Sequence, residues 1–198
     1  MQITEIISQK NGKLKICLDS GMSFSVYRKE ASAYGLAEGI DISEEQWGRI
    51  RAEVLDKRAK KRALYLLQKM DRTESQLCRK LKESGYPSES VACALDYVKS
   101  FHYIDDERYA SAYIRCHQNQ KSRMQLKIAL QQKGVRADVI ERALAESYEG
   151  EEETLVYKLL EKKHYDAEEM DRKEKYRIYQ YLLRRGFSGS LVRRCMEL

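Results

Sequence analysis

The chain has 198 residues, 42% hydrophobic and 34% charged, with a single proline and a net charge of +6, a balance that suits a helix-rich protein with much solvated surface. No apolar run approaches the span of a membrane helix and the polar start Met1-Gln2-Ile3-Thr4-Glu5 is no signal peptide, so a cytoplasmic protein with no membrane contact is expected. The five cysteines (Cys17, Cys78, Cys93, Cys116, Cys195) are scattered and form no CxxC pair, which argues against a disulfide framework or a zinc site and favours buried thiols.

In chain order, residues 2–8, 13–18 and 22–27 are short stretches with β-branched and aromatic residues. They are separated by Lys10-Asn11-Gly12-Lys13 and Asp19-Ser20-Gly21. Asn-Gly between two apolar runs signals a hairpin, because both residues tolerate positive φ. A small antiparallel hairpin or meander is expected, and it needs a helix or a partner to pack on. A short helix is expected over residues 31–36. Ser43 and Gln46 then have capping-box spacing, and Trp47, Ile50 and Val54 continue at helical intervals. Nothing stops this pattern before Met70-Asp71, which gives one helix of about 40 Å with Gly48 and the region of Leu55 as its weak points.

Three repeats follow. The first has Ala59, Ala63, Leu67 and Met70 on one helix, Leu77 and Leu81 on the next, and Val91, Leu95 and Val98 on the third. Asp71 or Thr73 can cap the second helix, and Pro87-Ser88 opens the third. In the second repeat Asp105 can cap a helix whose stripe is Tyr109, Ala112, Tyr113 and Cys116, with Asp106 and Glu107 at the positive end of its dipole. Leu126, Ala129 and Leu130 mark the next helix, then Gly134 stops it, and Ile140, Ala143 and Leu144 mark the last. The third repeat reads Leu155 and Leu159, then Ile178 and Leu182, then Leu191, Val192 and Cys195. Its residues 163–171, with Asp166, Glu168, Glu169 and Asp171, are expected as a linker or a solvated helix end.

The three glycines Gly85, Gly134 and Gly186 superpose these units. Four residues earlier stand Leu81, Leu130 and Leu182; eight earlier, Leu77, Leu126 and Ile178. One residue later come Tyr86, Val135 and Phe187; six later, Val91, Ile140 and Val192; ten later, Leu95, Leu144 and Met196. The period describes an array of supersecondary units. The expected fold is mostly α: three tandem three-helix repeats in an elongated array, preceded by a small β-meander. The divisions are residues 1–42, 43–104, 105–149 and 150–198.

The run Tyr103-Ile104-Asp105-Asp106-Glu107-Arg108-Tyr109-Ala110 resembles a motif of the RecX family, regulators of the bacterial recombinase RecA. Arg72-Thr73-Glu74-Ser75-Gln76-Leu77-Cys78-Arg79-Lys80-Leu81 is similar to the basic second helix of that family's first repeat, and Gln132-Lys133-Gly134-Val135 to the turn of its second. The resemblance covers residues 57–198. The chain departs from the family at Lys121-Ser122-Arg123-Met124, where a glycine-containing linker is common, and its third repeat matches by helix pattern. The resemblance implies a monomeric, non-enzymatic protein that binds RecA and the RecA-DNA filament, with possible weak direct DNA binding. Such a protein would modulate ATPase, strand exchange and filament growth in recombination and the SOS response.

The residues themselves point the same way. No phosphate-cradling GxxxxGK or GxGxxG is present, the three histidines form no HxxxH, and capping accounts for Asp105-Asp106 without any chemistry. No cofactor or metal is implied. The basic residues are the functional candidates: Lys57, Arg58, Lys61 and Arg62 on the first repeat's first helix; Arg72, Arg79, Lys80 and Lys82 around its second; Lys121, Arg123 and Lys127 on the matching second helix of the next repeat; and Lys173, Lys175, Arg177, Arg184, Arg185, Arg193 and Arg194 in the third. Residues 57–104 concentrate the charge, with 11 basic and 5 acidic side chains. This indicates a polyanion or an acidic protein surface as partner. Of the fourteen tyrosines, Tyr65, Tyr109, Tyr113 and Tyr176 fall on apolar stripes and read as core, whereas Tyr86 and Tyr103 sit by turns. A stand-alone nucleic-acid-binding module of helix-turn-helix type is the alternative. Against it, Ser88 to Tyr97 carries no basic residue and the segment from Asp138 to Leu144 only Arg142, where base-reading helices carry Arg, Asn or Gln.

Overall fold

The computed structural model describes residues 1–197, which form two compact units, Met1–Asp105 and Asp106–Leu198. The first unit opens with an antiparallel meander of β1 (Ile3–Ser8), β2 (Lys13–Leu18) and β3 (Ser23–Tyr27), in the order β1-β2-β3. A single 3-10 turn over Lys10–Gly12, with Gly12 at φ +71°, closes the first connection. The sheet finds its helix within the chain. Ile3, Ile16, Leu18, Phe24 and Val26 pack with Ala31, Leu36, Ile42, Trp47, Ile50 and Leu55 in one core, where the rings of Phe24 and Trp47 lie 5.1 Å apart. Helix α1 (Arg28–Ala33) lies three residues earlier than expected.

The long helix is present, and its irregularity is not at Gly48. Helix α2 (Glu44–Ile50), capped by Ser43, runs through a π-turn over Arg51–Leu55 into α3 (Asp56–Lys69) without a break. The amide of Asp56 donates to the carbonyl of Arg51, five residues back. The buried stripe accordingly steps from Trp47 and Ile50 to Leu55, then Ala59, Ala63 and Leu66, while Val54 is only half-buried. The expected inward positions Leu67 and Met70 are half-buried and exposed, because Leu66 takes the inward position one turn beyond Ala63 and Met70 lies past the end of α3 in extended backbone.

Each repeat is then a three-helix unit. Helices α4 (Glu74–Glu83) and α5 (Ser88–Ser100) complete the first; α6 (Asp106–His117), α7 (Arg123–Gln132) and α8 (Ala137–Ser147) form the second; α9 (Glu152–Lys162), α10 (Arg172–Arg184) and α11 (Gly189–Met196) the third. In every repeat the third helix packs on the first and the second. Each repeat holds its own core, and the residues aligned on the glycines are buried in it, with Ile178 partly so.

The repeat is local chemistry copied three times. The second helix begins with a capping box in each case: Thr73 with Gln76, Ser122 with Gln125, and Asp171 with Glu174. Thr73 therefore takes the cap in preference to Asp71, and Asp171 belongs to a helix start, not to a linker. The rest of that stretch is a turn in which Asp166 accepts from the amides of Glu168 and Glu169. The helix ends at Gly85, Gly134 or Gly186, with φ of +84°, +81° and +85°, and the next amide returns to the carbonyl five residues back: Tyr86 to Leu81, Val135 to Leu130, Phe187 to Leu182. The side-chain cap expected at Pro87-Ser88 is absent; Pro87 holds the N-cap position through its φ of −66° alone.

Other expectations are corrected. On α6 the buried residues are Ala110 and Ile114, flanked by half-buried Tyr109 and Tyr113, so Ala112 and Cys116 turn outward and Cys116 is not a buried thiol. Tyr65 and Tyr176 are 49% and 62% exposed. Both lie at the edge of their helix's apolar stripe, where the smaller neighbours Ala63 and Leu66, or Ile178 and Leu182, already close the core. Tyr86, next to a turn, is buried, while Tyr103 is half exposed and stacks on Phe101 with ring centroids 5.8 Å apart.

Candidate polyanion-binding surfaces

The basic residues fall into two concentrations, one in each unit. In the first unit a basin of about 780 Å³ lies between the sheet, α3 and the Gly85 turn. Arg58, Lys61 and Arg62 reach it from α3, and Lys10 and Lys13 from the hairpin. Its cations are largely engaged. Arg58 donates to Glu30 at 2.8 Å and its guanidinium stands 4.5 Å from the centre of the Tyr27 ring, which Lys13 approaches at 5.7 Å. Arg62 lies 5.3 Å from the Tyr65 ring and Lys69 lies 5.5 Å from it. Beneath, burial pushes the Tyr86 phenol up, against the opposing pull of Arg58 and Arg62. At the rim Lys80 donates to Glu83 at 2.8 Å, and this bond holds the Glu83 carboxyl below its usual range; Arg79 approaches the same carboxylate at 3.9 Å.

The second concentration lies in the third repeat. Arg172, Lys173, Lys175 and Arg193 surround Tyr176 and Tyr179 in a basin of about 790 Å³. Among the described residues no carboxylate lines it. Asp171 and Glu174, three residues apart and beside these cations in sequence, turn their oxygens to each other's backbone amides in the capping box. Lys175 donates to the carbonyl of Ala167 at 2.6 Å, which fixes the ammonium without neutralising it. Gly189 lets α11 approach closely, since a Cβ there would stand 2.9 Å from the Tyr179 hydroxyl.

The remaining candidates are dispersed. Arg72 precedes the Thr73 cap, and its Nε is buried without a hydrogen-bond partner. Lys121 precedes the Ser122 cap and donates to the Tyr113 hydroxyl at 2.5 Å. Arg123 stands 5.9 Å from the Tyr148 ring, and Lys127 pairs with Glu141, whose carboxyl that hydrogen bond holds low. Arg185 stands 5.2 Å from the Tyr181 ring. Arg193 and Arg194 belong to α11 and not to a second helix, and Arg194 pairs with Glu153 at 2.8 Å. Lys82, Arg177 and Arg184 are exposed. The sequence reading missed Lys10, Lys13, Tyr27 and Arg172. The hairpin register, which pairs Lys13 with Tyr27 across β2 and β3, was the signal available for two of them. Among the described residues no group of His, Cys, Asp and Glu could hold a metal, and no helix is long and apolar enough to cross a membrane.

Family models described as the first, second and third three-helix domains of RecX match residues 59–97, 105–144 and 151–196. A protein named "Regulatory protein RecX" from Caldanaerobacter subterraneus subsp. tengcongensis is 29% identical over 201 residues, covering 100% of both chains. One of the same name from Limosilactobacillus reuteri is 31% identical over 195 residues, covering 96% of this chain and 74% of the relative. A solved structure described as a crystal structure of regulatory protein RecX aligns with a TM-score of 0.66 at 29% identity, covering 100% of this chain and 99% of that one.

Proposed function

Because the chain belongs to the RecX family of regulatory proteins, we propose that it binds the RecA recombinase and its DNA filament and restrains ATP turnover, strand exchange and filament growth, with no catalysis of its own. The observation that carries this reading is that each unit exposes arginine and lysine interleaved with tyrosine, on the first helix of the first repeat and on the second helix of the third. Such surfaces suit a partner that offers phosphates together with a protein face. Arg58, Lys61, Arg62, Arg72, Arg79, Lys80, Lys82, Lys121, Arg123, Lys127, Arg177, Arg184, Arg185, Arg193 and Arg194 are the residues assigned to it. The protein acts as a monomer in the cytoplasm, within recombination, DNA repair and the SOS response.

The test is ATP hydrolysis by preformed RecA filaments on single-stranded DNA, at a salt concentration where this chain does not bind the DNA alone. Loss of ATPase at or below stoichiometric addition is the expected result. No change over a wide concentration range, together with a sequence-dependent footprint of this chain alone on duplex DNA, would replace the reading with the helix-turn-helix alternative.

A further inference from the structure

We infer that the basin around Tyr176 is a stacking site for an unpaired base, and that through it this chain takes single-stranded nucleic acid by its own third repeat. The inference rests on the reading of the basic surface as facing nucleic acid, but not on RecA.

Three observations converge. First, Tyr176 is 62% exposed, more than any other of the large exposed apolar and aromatic side chains. Second, its ring is uncovered. Tyr27, Tyr65, Tyr113 and Tyr181 each lie beneath a cation at 4.5–5.7 Å, whereas among the described residues none stands over Tyr176 or Tyr179. Third, among the described residues the cations around the two rings have no carboxylate partner: Arg172, Lys173 and Arg193 form no ion pair there, and Lys175 is held by a carbonyl. The volume of about 790 Å³ is within the usual range of ligand clefts.

The ligand follows from this pairing of charge and ring. An acidic protein segment would satisfy the four cations but leave the tyrosine faces wet. A duplex offers phosphates while hiding its base faces in the stack. A single strand presents both in alternation, with a π-face for Tyr176 and a phosphate for the cations on either side. Binding would be tolerant of sequence, since every base has a π-face.

The experiment uses the full-length chain without RecA, titrated against a short fluorescent oligothymidylate and against a duplex of equal length, over a series of salt concentrations. Tyr176→Ala should weaken single-strand binding by roughly 5- to 150-fold, the range for losing one stacked base, while Tyr176→Phe should retain it. Arg193→Ala should reduce the salt slope by about 0.7, the share of one single-strand phosphate. An oligonucleotide carrying 5-iodouracil should photo-crosslink to Tyr176. Tyr176 stands outside the core, so an unchanged circular dichroism spectrum of Tyr176→Ala checks that the loss is local. Equal affinity of Tyr176→Ala and the parent overturns the inference, as does duplex competing on equal terms or oligoglutamate displacing the strand. The two readings fail separately. A chain that binds the strand through Tyr176 yet leaves RecA ATPase untouched removes the proposed regulation only, and one that restrains RecA equally well as Tyr176→Ala with unchanged strand affinity removes the stacking site only.

Discussion

The two basins have much the same ingredients and differ in what the ingredients are doing. In the first basin the guanidinium groups of Arg58 and Arg62 are engaged by Glu30 and by the rings of Tyr27 and Tyr65. Around Tyr176 the cations face no carboxylate among the described residues and the Tyr176 ring lies open. The net charge of the sequence points to the first: residues 57–104 hold 11 basic and 5 acidic side chains, residues 150–198 hold 11 and 10. Of the carboxylates in the third repeat, Asp171 and Glu174 are turned to their cap, Asp166 to its turn and Glu153 to Arg194, and none lines the basin among the described residues. Charge available to a partner is thus a matter of where counter-charges are anchored, and a tally along the chain does not give it.

The largest effect should come from the glycine turns that support both basins. A Cβ at Gly85 would lie 2.3 Å from Ser25 Oγ, and one at Gly186 would lie 2.7 Å from Met124 Cβ, each at φ near +85°. Either glycine changed to alanine should cost about 2–4 kcal/mol, the sum of a left-handed backbone penalty and overpacking, read as a lower thermal midpoint. The two should then part company. Ser25→Ala removes the clashing oxygen and should restore part of the loss in Gly85→Ala, whereas Met124→Ala keeps its Cβ and should not rescue Gly186→Ala.

Next in size is charge removal. Replacing Arg172, Lys173 and Arg193 together with alanine should lower low-salt affinity for single-stranded DNA about tenfold or more and flatten the salt slope by about 2; replacing Arg58, Lys61 and Arg62 should do less. An equal loss from the two triple variants would erase the distinction between free and engaged cations. Smaller again is Glu30→Gln, which releases Arg58 while keeping an acceptor for the amide of Tyr27. It should cost about 1 kcal/mol of stability and raise the affinity of the first basin for polyanions by a factor of about 2, seen by titration in the background of the third-repeat triple variant.

The smallest effect is one of pH. Lys80 and Lys127 hold Glu83 and Glu141 below the usual glutamate range, so what these pairs contribute is present above that range and is lost as pH falls through the lowered values. The lysines are then released, and polyanion affinity should rise on acidification below about pH 4. Glu83→Gln together with Glu141→Gln should abolish the rise.

The three repeats were legible because a glycine with positive φ and a capping box leave fixed marks at fixed offsets, and the meander because Asn-Gly marks its turn. The motif from Tyr103 to Ala110 added the family. Helix faces were harder to read. On α6 an Ala110-Ile114 stripe and an Ala112-Cys116 stripe are equally apolar on paper, and only packing chose the first. Tyr176 read as core because its spacing fits a stripe, whereas Ile178 and Leu182 suffice to close that face. Ion pairs between distant positions, such as Arg58 with Glu30 and Arg194 with Glu153, leave no mark in a linear reading.

The π-turn at Arg51–Leu55 sets the reading frame of the long helix. A regular helix carrying Trp47 and Ile50 inward would continue through Val54 to Arg58, Lys61 and Tyr65, setting the cationic face against the core and Ala59 and Ala63 towards solvent. The one extra residue shifts the frame by about 100° and exchanges the two faces. Deleting a single residue between Arg51 and Leu55 would therefore restore a regular helix with Ala59 and Ala63 still inward, whereas forcing the present length into a regular helix would turn the candidate binding surface towards the core.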